Sequence, residues 1–150
     1  MPKQNKGFGF LFEMGCGKTL TAIAVMGALY LQNRISRVLI VAPSSVCAVW
    51  PRELAEFADF PHREALLLGD KKRRLSALQG LVVASELGTP ALNVAVINYE
   101  STHREGIFEA LRDFEPDLIV CDESQRIKTH NAAQSKALHK LGDIAAYKLI

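Results

Sequence analysis

The segment Gly15-Cys-Gly-Lys-Thr19 lies between a short apolar run, Phe8–Phe12, and an Ala- and Leu-rich stretch, Thr19–Asn33. The run predicts a buried strand, and the stretch predicts a helix. Glycines let a backbone approach phosphate oxygens closely, and a helix N-terminus adds its dipole to anion binding. At such a turn, Lys18 can supply a charge to the β and γ phosphates and Thr19 a hydroxyl to magnesium. The segment therefore predicts a phosphate loop for a nucleoside triphosphate with Mg²⁺.

This loop departs from the pattern G-x-x-x-x-G-K-[ST], because Phe12 stands in place of the first glycine and Gly15 is an additional one. The alternative interpretation is a glycine-capped helix start with a solvent-exposed lysine. A G-x-G-K-T run between a strand and a helix is uncommon by chance, so we favour nucleotide binding. The residues expected to bind the nucleotide are Met14, Gly15, Cys16, Gly17, Lys18, Thr19 and Leu20.

Strands and helices are predicted to alternate along the rest of the chain. Further strands are expected at Arg37–Ala42, Arg63–Leu68, Asn93–Asn98, Asp117–Cys121 and Tyr147–Ile150. Helices are expected at Ser45–Phe60 with a break or second start at Pro51, at Lys71–Leu87 with an interruption near Gly80, at Ser101–Phe114 and at Ala132–Leu141. Strands this apolar must be covered on both faces, which is typical of a mostly parallel sheet. The sequence therefore predicts one α/β domain of the doubly wound type.

The pair Asp122-Glu123 directly follows one of these apolar strands. Ligands of open α/β sheets bind at the carboxyl ends of the strands. An aspartate there can hold Mg²⁺, and an adjacent glutamate can orient and deprotonate an attacking water. Alone, such a pair is more often a polar turn. Together with the phosphate loop, it predicts Thr19 and Asp122 as magnesium residues and Glu123 as the general base.

Composition gives only broad limits on function. The chain of 150 residues is 49% apolar and 23% charged, with a net charge of +2, so its charge does not indicate a nucleic-acid binder. No apolar run is long enough for a membrane span and no secretory signal is evident, so we expect a cytoplasmic protein, or a nuclear one in a eukaryote. The three cysteines, Cys16, Cys47 and Cys121, are expected to be small buried hydrophobes.

The one basic run is Lys71-Lys-Arg-Arg74. Its first interpretation is the solvated first turn of a helix. The alternative is a patch that contacts phosphates.

Four segments resemble motifs of the Swi/Snf-type ATPases of helicase superfamily 2. Phe10–Thr19 is similar to the family's L-A-D-E-M-G-L-G-K-T, which also lacks the early glycine. Val38–Ser45 resembles the family's apolar strand ending in proline and a small polar residue, and Trp50 stands where the family often has tryptophan. Val96–Glu100 resembles the next motif, and Asp122–Lys128 (D-E-S-Q-R-I-K) resembles D-E-A-H-R-I-K. The last match is close to diagnostic of this branch, and the similarity covers nearly the whole chain.

The resemblance implies a RecA-like P-loop lobe that uses ATP and Mg²⁺ and couples hydrolysis to movement on DNA, either duplex or single-stranded. It implies catalytic roles for Lys18, Asp122, Glu123 and Gln125. Gln125 replaces the family's histidine and can bridge by hydrogen bonds without carrying charge. Contacts with the nucleic-acid backbone are implied for Pro43, Ser44, Ser45, Asn98, Tyr99, Arg126 and Lys128.

Several of these residues can instead have purely structural roles. Asn98 and Tyr99 are equally well explained by strand-end capping and packing. Trp50 is expected to pack in the core, and Arg126 and Lys128 can belong to a solvated loop.

The resemblance further implies that residues 1–150 form part of the first of two lobes. It places the strand at Tyr147–Ile150 inside the sheet, next to the strand before the phosphate loop. In the family this strand continues into a third motif, which residues 1–150 lack, and a second lobe supplies an arginine finger. The chain alone is therefore expected to bind nucleotide weakly and barely hydrolyse it. Two other interpretations stay open: a P-loop kinase or related transferase, and a non-catalytic nucleotide- or nucleic-acid-binding remnant. The kinase interpretation gives the D-E-S-Q-R-I-K run no role.

Overall fold

The computed structural model describes residues 6–8, 18–123 and 132–149, and it confirms an α/β fold with a parallel sheet. The strands are β1 (Lys6–Phe8), β2 (Arg37–Ala42), β3 (His62–Leu67), β4 (Leu92–Asn98), β5 (Leu118–Cys121) and β6 (Tyr147–Leu149). The helices are α1 (Lys18–Leu31), α2 (Ser44–Cys47), α3 (Val49–Phe57), α4 (Lys71–Leu87), α5 (Ile107–Phe114) and α6 (Ala132–Ile144). Tyr99–Ser101 forms a 3₁₀ turn directly after β4.

The strand order across the sheet is β1-β6-β5-β2-β4-β3, and every neighbouring pair is parallel. β6 lies between β1 and β5, inside the sheet as predicted for the last strand. Of the predicted strand Phe8–Phe12, only Phe8 lies within the described residues, at the end of β1. Because parallel strands all end at the same edge, the residues that follow β2, β4 and β5 lie near one another. That carboxyl edge is where the predicted site residues are expected to meet.

The two faces of the sheet are covered by different helices. On one face, α1 and α3 pack on a core that includes Ile23, Met26, Val38, Ile40, Trp50, Leu54, Val94 and Val96. On the other, α4, α5 and α6 pack on a core that includes Leu39, Val41, Leu78, Leu81, Ala95, Ile97, Leu111, Phe114 and Leu141. Successive residues of β2 and β4 therefore enter opposite cores, which explains why these strands are apolar at almost every position.

Two helix predictions differ from the structure in detail. The predicted helix Ser45–Phe60 is two helices, and the break is at Ala48 rather than at Pro51. Pro51 is the third residue of α3, where the N–H that proline lacks would have no helical partner. The predicted interruption near Gly80 is wrong, because α4 runs unbroken from Lys71 to Leu87. A mid-helix glycine costs only about 1 kcal/mol, and the buried Leu78 and Leu81 offset that cost.

The predicted helix Ser101–Phe114 is shorter than expected. The chain forms a loop after Ser101, and α5 begins only after Gly106, whose φ is +85°. Glycine adopts this left-handed backbone without steric cost, so it redirects the chain at the start of the helix. The Gly106 N–H then donates to Glu109 Oε2 at 2.6 Å, which stabilises the first turn of α5.

Among the helices that the structure describes, none is both long and apolar enough to span a membrane.

Candidate nucleotide-binding site

Lys18 and Asp122 come from distant parts of the sequence and meet at the carboxyl edge of the sheet. Lys18 is the first residue of α1, and Asp122 directly follows β5. Lys18 Nζ lies 3.9 Å from Asp122 Oδ1, and the two side chains are 20% and 8% exposed. A lysine charge and a carboxylate placed at a helix N-terminus beside a strand end can bind a phosphate and its metal ion.

Two aromatic side chains hold Asp122 in place. Trp50, on α3, donates its indole N–H to Asp122 Oδ2 at 3.1 Å. Tyr99, just after β4, donates its hydroxyl to the Asp122 carbonyl at 2.7 Å. The Asp122 N–H in turn donates to the Val41 carbonyl at 2.8 Å. The main chain of Asp122 is therefore held by β2 and by Tyr99 after β4, and its side chain is held by Trp50 on α3.

Burial and hydrogen bonding shift the pKa of the Asp122 carboxyl in opposite directions. Burial raises its pKa above the usual value, and the Trp50 hydrogen bond and the Lys18 charge lower it in part. Burial also raises the pKa of Tyr99, so its hydroxyl stays a neutral donor. A bound cation would add a further charge that favours the ionised carboxylate.

Glu123 has an unusual backbone conformation. Its φ of +53° lies in the left-handed region, which costs a non-glycine residue about 1 kcal/mol or more. The side chain is partly buried next to Asp122. Strained residues of this kind are found at functional sites, which agrees with Glu123 as the candidate general base.

The described residues of the predicted site have the chemistry that magnesium requires. Mg²⁺ in nucleotide sites is bound through one or two protein oxygens, phosphate oxygens and water, rather than by a protein cage. The part of the chain that the structure describes holds no group of three or more His, Cys, Asp or Glu side chains suited to a metal. Thr19, one residue into α1 and partly buried, carries a hydroxyl oxygen and Asp122 a carboxylate, which are oxygen ligands of the kind that Mg²⁺ takes.

Several predicted site residues lie outside the described part of the chain. These are Met14, Gly15, Cys16, Gly17, Gln125, Arg126 and Lys128. Leu20 is described on α1, and its side chain is 48% exposed. The roles of these residues remain predictions from the sequence.

The residues predicted to contact nucleic acid occupy two different environments. Ser44 and Ser45 are exposed at the start of α2, and Pro43 before them is partly buried. Asn98 and Tyr99 are 7% and 4% exposed, and their side chains are used in internal hydrogen bonds. Those bonds match the capping and packing alternative for this pair.

Arg74 is the residue that the sequence interpretation placed wrongly. The basic run was expected to be solvated, and Lys71, Lys72 and Arg73 are exposed, but Arg74 is 7% exposed. Its guanidinium donates to the carbonyls of Leu67 and Gly69 and to Asn98 Oδ1, each at 2.8 Å. The Leu67 carbonyl and the Asn98 amide oxygen, at the ends of β3 and β4, are buried and need donors, which explains why the side chain points inward. Burial and the nearby Arg104 lower the pKa of Arg74.

The hydrogen-bond chain continues from Arg74 towards the exposed edge. The Asn98 amide donates to Glu100 Oε2 at 2.9 Å, and the Ser44 hydroxyl lies 3.5 Å from the same oxygen. Arg74 therefore fixes the segment after β4 in position relative to the start of α2. A fourfold basic run gives no signal for this, because only the fold shows which of the four side chains meets the strand ends.

The two cysteines in the described residues are free thiols. Burial raises the pKa of Cys47 and of Cys121 to about 11 in each case. The thiolate is the reactive form, so both are inert at neutral pH, as expected for small core residues.

The parallel sheet, with a lysine at the start of α1 beside an Asp-Glu pair after β5, defines a RecA-like nucleotide-binding lobe. The chain belongs to the SNF2-related domain family, whose model matches residues 3–149.

Individual relatives agree with this assignment. The chain is 29% identical over 164 residues to the chromatin remodeling factor mit1 of Schizosaccharomyces pombe, which covers 100% of the chain and 11% of mit1. It is 33% identical over 138 residues to the ISWI chromatin-remodeling complex ATPase ISW2 of Saccharomyces cerevisiae, with 90% and 12% covered. The SWI2/SNF2 ATPase core of Sulfolobus solfataricus in complex with dsDNA superposes with a TM-score of 0.69 at 27% identity, covering 95% of this chain and 26% of that one. The chain thus spans a small part of the relatives it matches.

Proposed function

We propose that this chain is the ATP-binding lobe of a nucleic-acid-dependent ATPase that couples hydrolysis to movement on DNA. The observation that carries the proposal is the pairing of Lys18 with Asp122 at the carboxyl edge, where β5 and α1 meet. The family supports ATP as the ligand, and the solved complex of a related core with dsDNA supports duplex DNA as the partner. A second lobe, which would complete the catalytic centre, is part of this proposal.

The candidate site residues have distinct roles in this proposal. Bound ATP supplies the phosphoryl group, and its Mg²⁺ neutralises negative charge that develops on the phosphates. Lys18 binds the phosphates as a point charge, while Thr19 and Asp122 offer oxygens on the metal side. Glu123 orients the attacking water and accepts its proton on the carboxylate. Gln125 is proposed to pass the state of the nucleotide on through hydrogen bonds.

Duplex DNA is proposed to contact the exposed start of α2. Ser44 and Ser45 can donate hydroxyl groups to backbone phosphates, which position the duplex without reading its sequence. Hydrogen bonds run from Ser44 through Glu100 and Asn98 to Arg74. They hold this surface at a fixed position relative to the end of β4.

The double variant Ser44→Glu with Ser45→Glu is expected to weaken duplex binding by about tenfold or more at low salt, because two carboxylates would face the phosphates. Fluorescence anisotropy of a labelled duplex measures the change. The matched control is Gln32→Glu with Asn33→Asp, which adds the same charge at exposed positions after α1, on the opposite edge of the sheet. Equal affinity of the two double variants would show that DNA does not bind at α2.

A further inference from the structure

We infer that Trp50 is a positioning residue for the magnesium carboxylate: its indole N–H holds one oxygen of Asp122 so that the other is kept on the nucleotide side. The inference rests on the proposed function, since it requires a metal ion at Asp122.

The geometry assigns a different partner to each carboxylate oxygen. Oδ2 accepts from the Trp50 indole at 3.1 Å, across 72 residues of sequence. Oδ1 is the oxygen that lies 3.9 Å from Lys18 Nζ, at the start of the helix that opens the phosphate site. The Trp50 hydrogen bond therefore decides which oxygen is directed towards the phosphates.

The main chain of Asp122 is fixed independently of Trp50. The Tyr99 hydroxyl holds its carbonyl, and the Val41 carbonyl accepts its N–H. The remaining freedom of the residue is rotation of its carboxylate. The indole is the neutral side-chain donor that restrains it, beside a main-chain hydrogen bond from Glu123. A neutral donor suits this task, because it orients the carboxylate without supplying a second positive charge that would compete with a metal ion.

Trp50 itself is rigidly placed. It is 2% exposed in the core between the sheet and α3, and Leu54 on the next turn is fully buried. The break at Ala48 between α2 and α3 sets the direction of α3 and so brings the indole to the end of β5. A buried indole N–H requires an acceptor, and here that acceptor is a carboxylate proposed to bind metal.

The first test compares Trp50→Phe, which keeps an aromatic ring but removes the N–H, with the wild-type 150-residue chain. The Mg²⁺ concentration that gives half-maximal ATP binding is expected to rise about tenfold, which is typical when a residue that orients a metal ligand is removed. Affinity for ATP in excess EDTA is expected to change by less than about twofold, because Lys18 still binds the phosphates. The matched control is Leu54→Val, which loosens packing on the same helix and keeps the indole. It should lower stability without moving the Mg²⁺ midpoint.

A second test needs no variant. Trp50 is the only tryptophan in the sequence, so ¹⁵N-tryptophan labelling gives one indole N–H resonance. With ATP already bound in EDTA, addition of Mg²⁺ is expected to shift that resonance, because its acceptor becomes a neighbour of the metal. A resonance that stays in place while Mg²⁺ binding saturates would overturn the inference.

The outcomes separate the inference from the proposed function. Mg²⁺-dependent ATP binding by the wild type, together with an unchanged midpoint in Trp50→Phe, overturns the positioning role and leaves the ATP site standing. If Trp50→Phe lowers ATP affinity by the same factor with Mg²⁺ and in EDTA, the role of Trp50 is merely structural and the inference is overturned. No Mg²⁺-dependent ATP binding by the folded wild type overturns both.

Discussion

Replacing Glu123 with glutamine is expected to lower the rate of Mg²⁺-ATP hydrolysis by about 10²–10⁴-fold and to leave ATP affinity unchanged. Glutamine keeps the size of the side chain and accepts hydrogen bonds, but it cannot take a proton from water. The side-chain contacts that hold Asp122 come from Trp50, Tyr99 and Lys18, and the variant changes none of these three residues. Binding and hydrolysis should therefore separate in this variant.

Single-turnover hydrolysis with the chain in excess over labelled ATP suits a slow enzyme, and calorimetry measures the affinity. The control is Glu100→Gln, which removes an exposed carboxylate from the same edge of the sheet. Its hydrolysis rate is expected to stay within a few-fold of the wild type. Equal rates in Glu123→Gln and wild type would contradict the general-base assignment and favour the non-catalytic remnant.

Arg74→Met is expected to destabilise the fold by about 2–4 kcal/mol. Methionine fills much of the volume of the arginine stem but leaves three acceptors, the carbonyls of Leu67 and Gly69 and the Asn98 amide oxygen, without their donor. The acceptors on Leu67 and Asn98 are buried, so leaving them unpaired costs free energy, and loss of a charged donor costs more than loss of a neutral one.

Urea unfolding followed by circular dichroism measures the change in the free energy of unfolding. Arg73→Met is the matched control, since Arg73 is the exposed neighbour on the same helical turn. It is expected to change stability by less than about 0.5 kcal/mol. Similar losses in both variants would show that the hydrogen bonds of Arg74 contribute nothing specific.

The sequence predicted most of the fold because its strands are covered on both faces. Strands β2 and β4 are apolar at almost every position, and each lies within one residue of its predicted bounds. The errors arose where a local signal was weaker than tertiary packing. Gly80 does not interrupt α4, because buried leucines on either side hold the helix to the sheet. Gly106 does redirect the chain, because its positive φ is required there.

Those site residues that belong to short sequence motifs could be predicted. Lys18, Asp122 and Glu123 follow from a loop and an acidic pair placed at strand ends. The residues that orient them could not be predicted in this way, because Trp50 contacts Asp122 only when β2 and β5 lie side by side in the folded sheet. Arg74 shows the same limit. Its charge predicted a solvent-exposed side chain, but hydrogen bonds to three acceptors at or near strand ends hold the guanidinium in the interior.

Calorimetric titration of the chain with ATP in the presence and absence of Mg²⁺, beside Lys18→Ala, tests the central claim most directly. Lys72→Ala removes the same charge from an exposed position and serves as the control. We predict Mg²⁺-dependent binding that Lys18→Ala weakens by about 10- to 100-fold and Lys72→Ala leaves unchanged, since a charged contact with phosphate contributes about 1.5–3 kcal/mol. Equal affinities of the wild type and Lys18→Ala, or no binding by the folded wild type, would contradict an ATP site formed by Lys18 and Asp122.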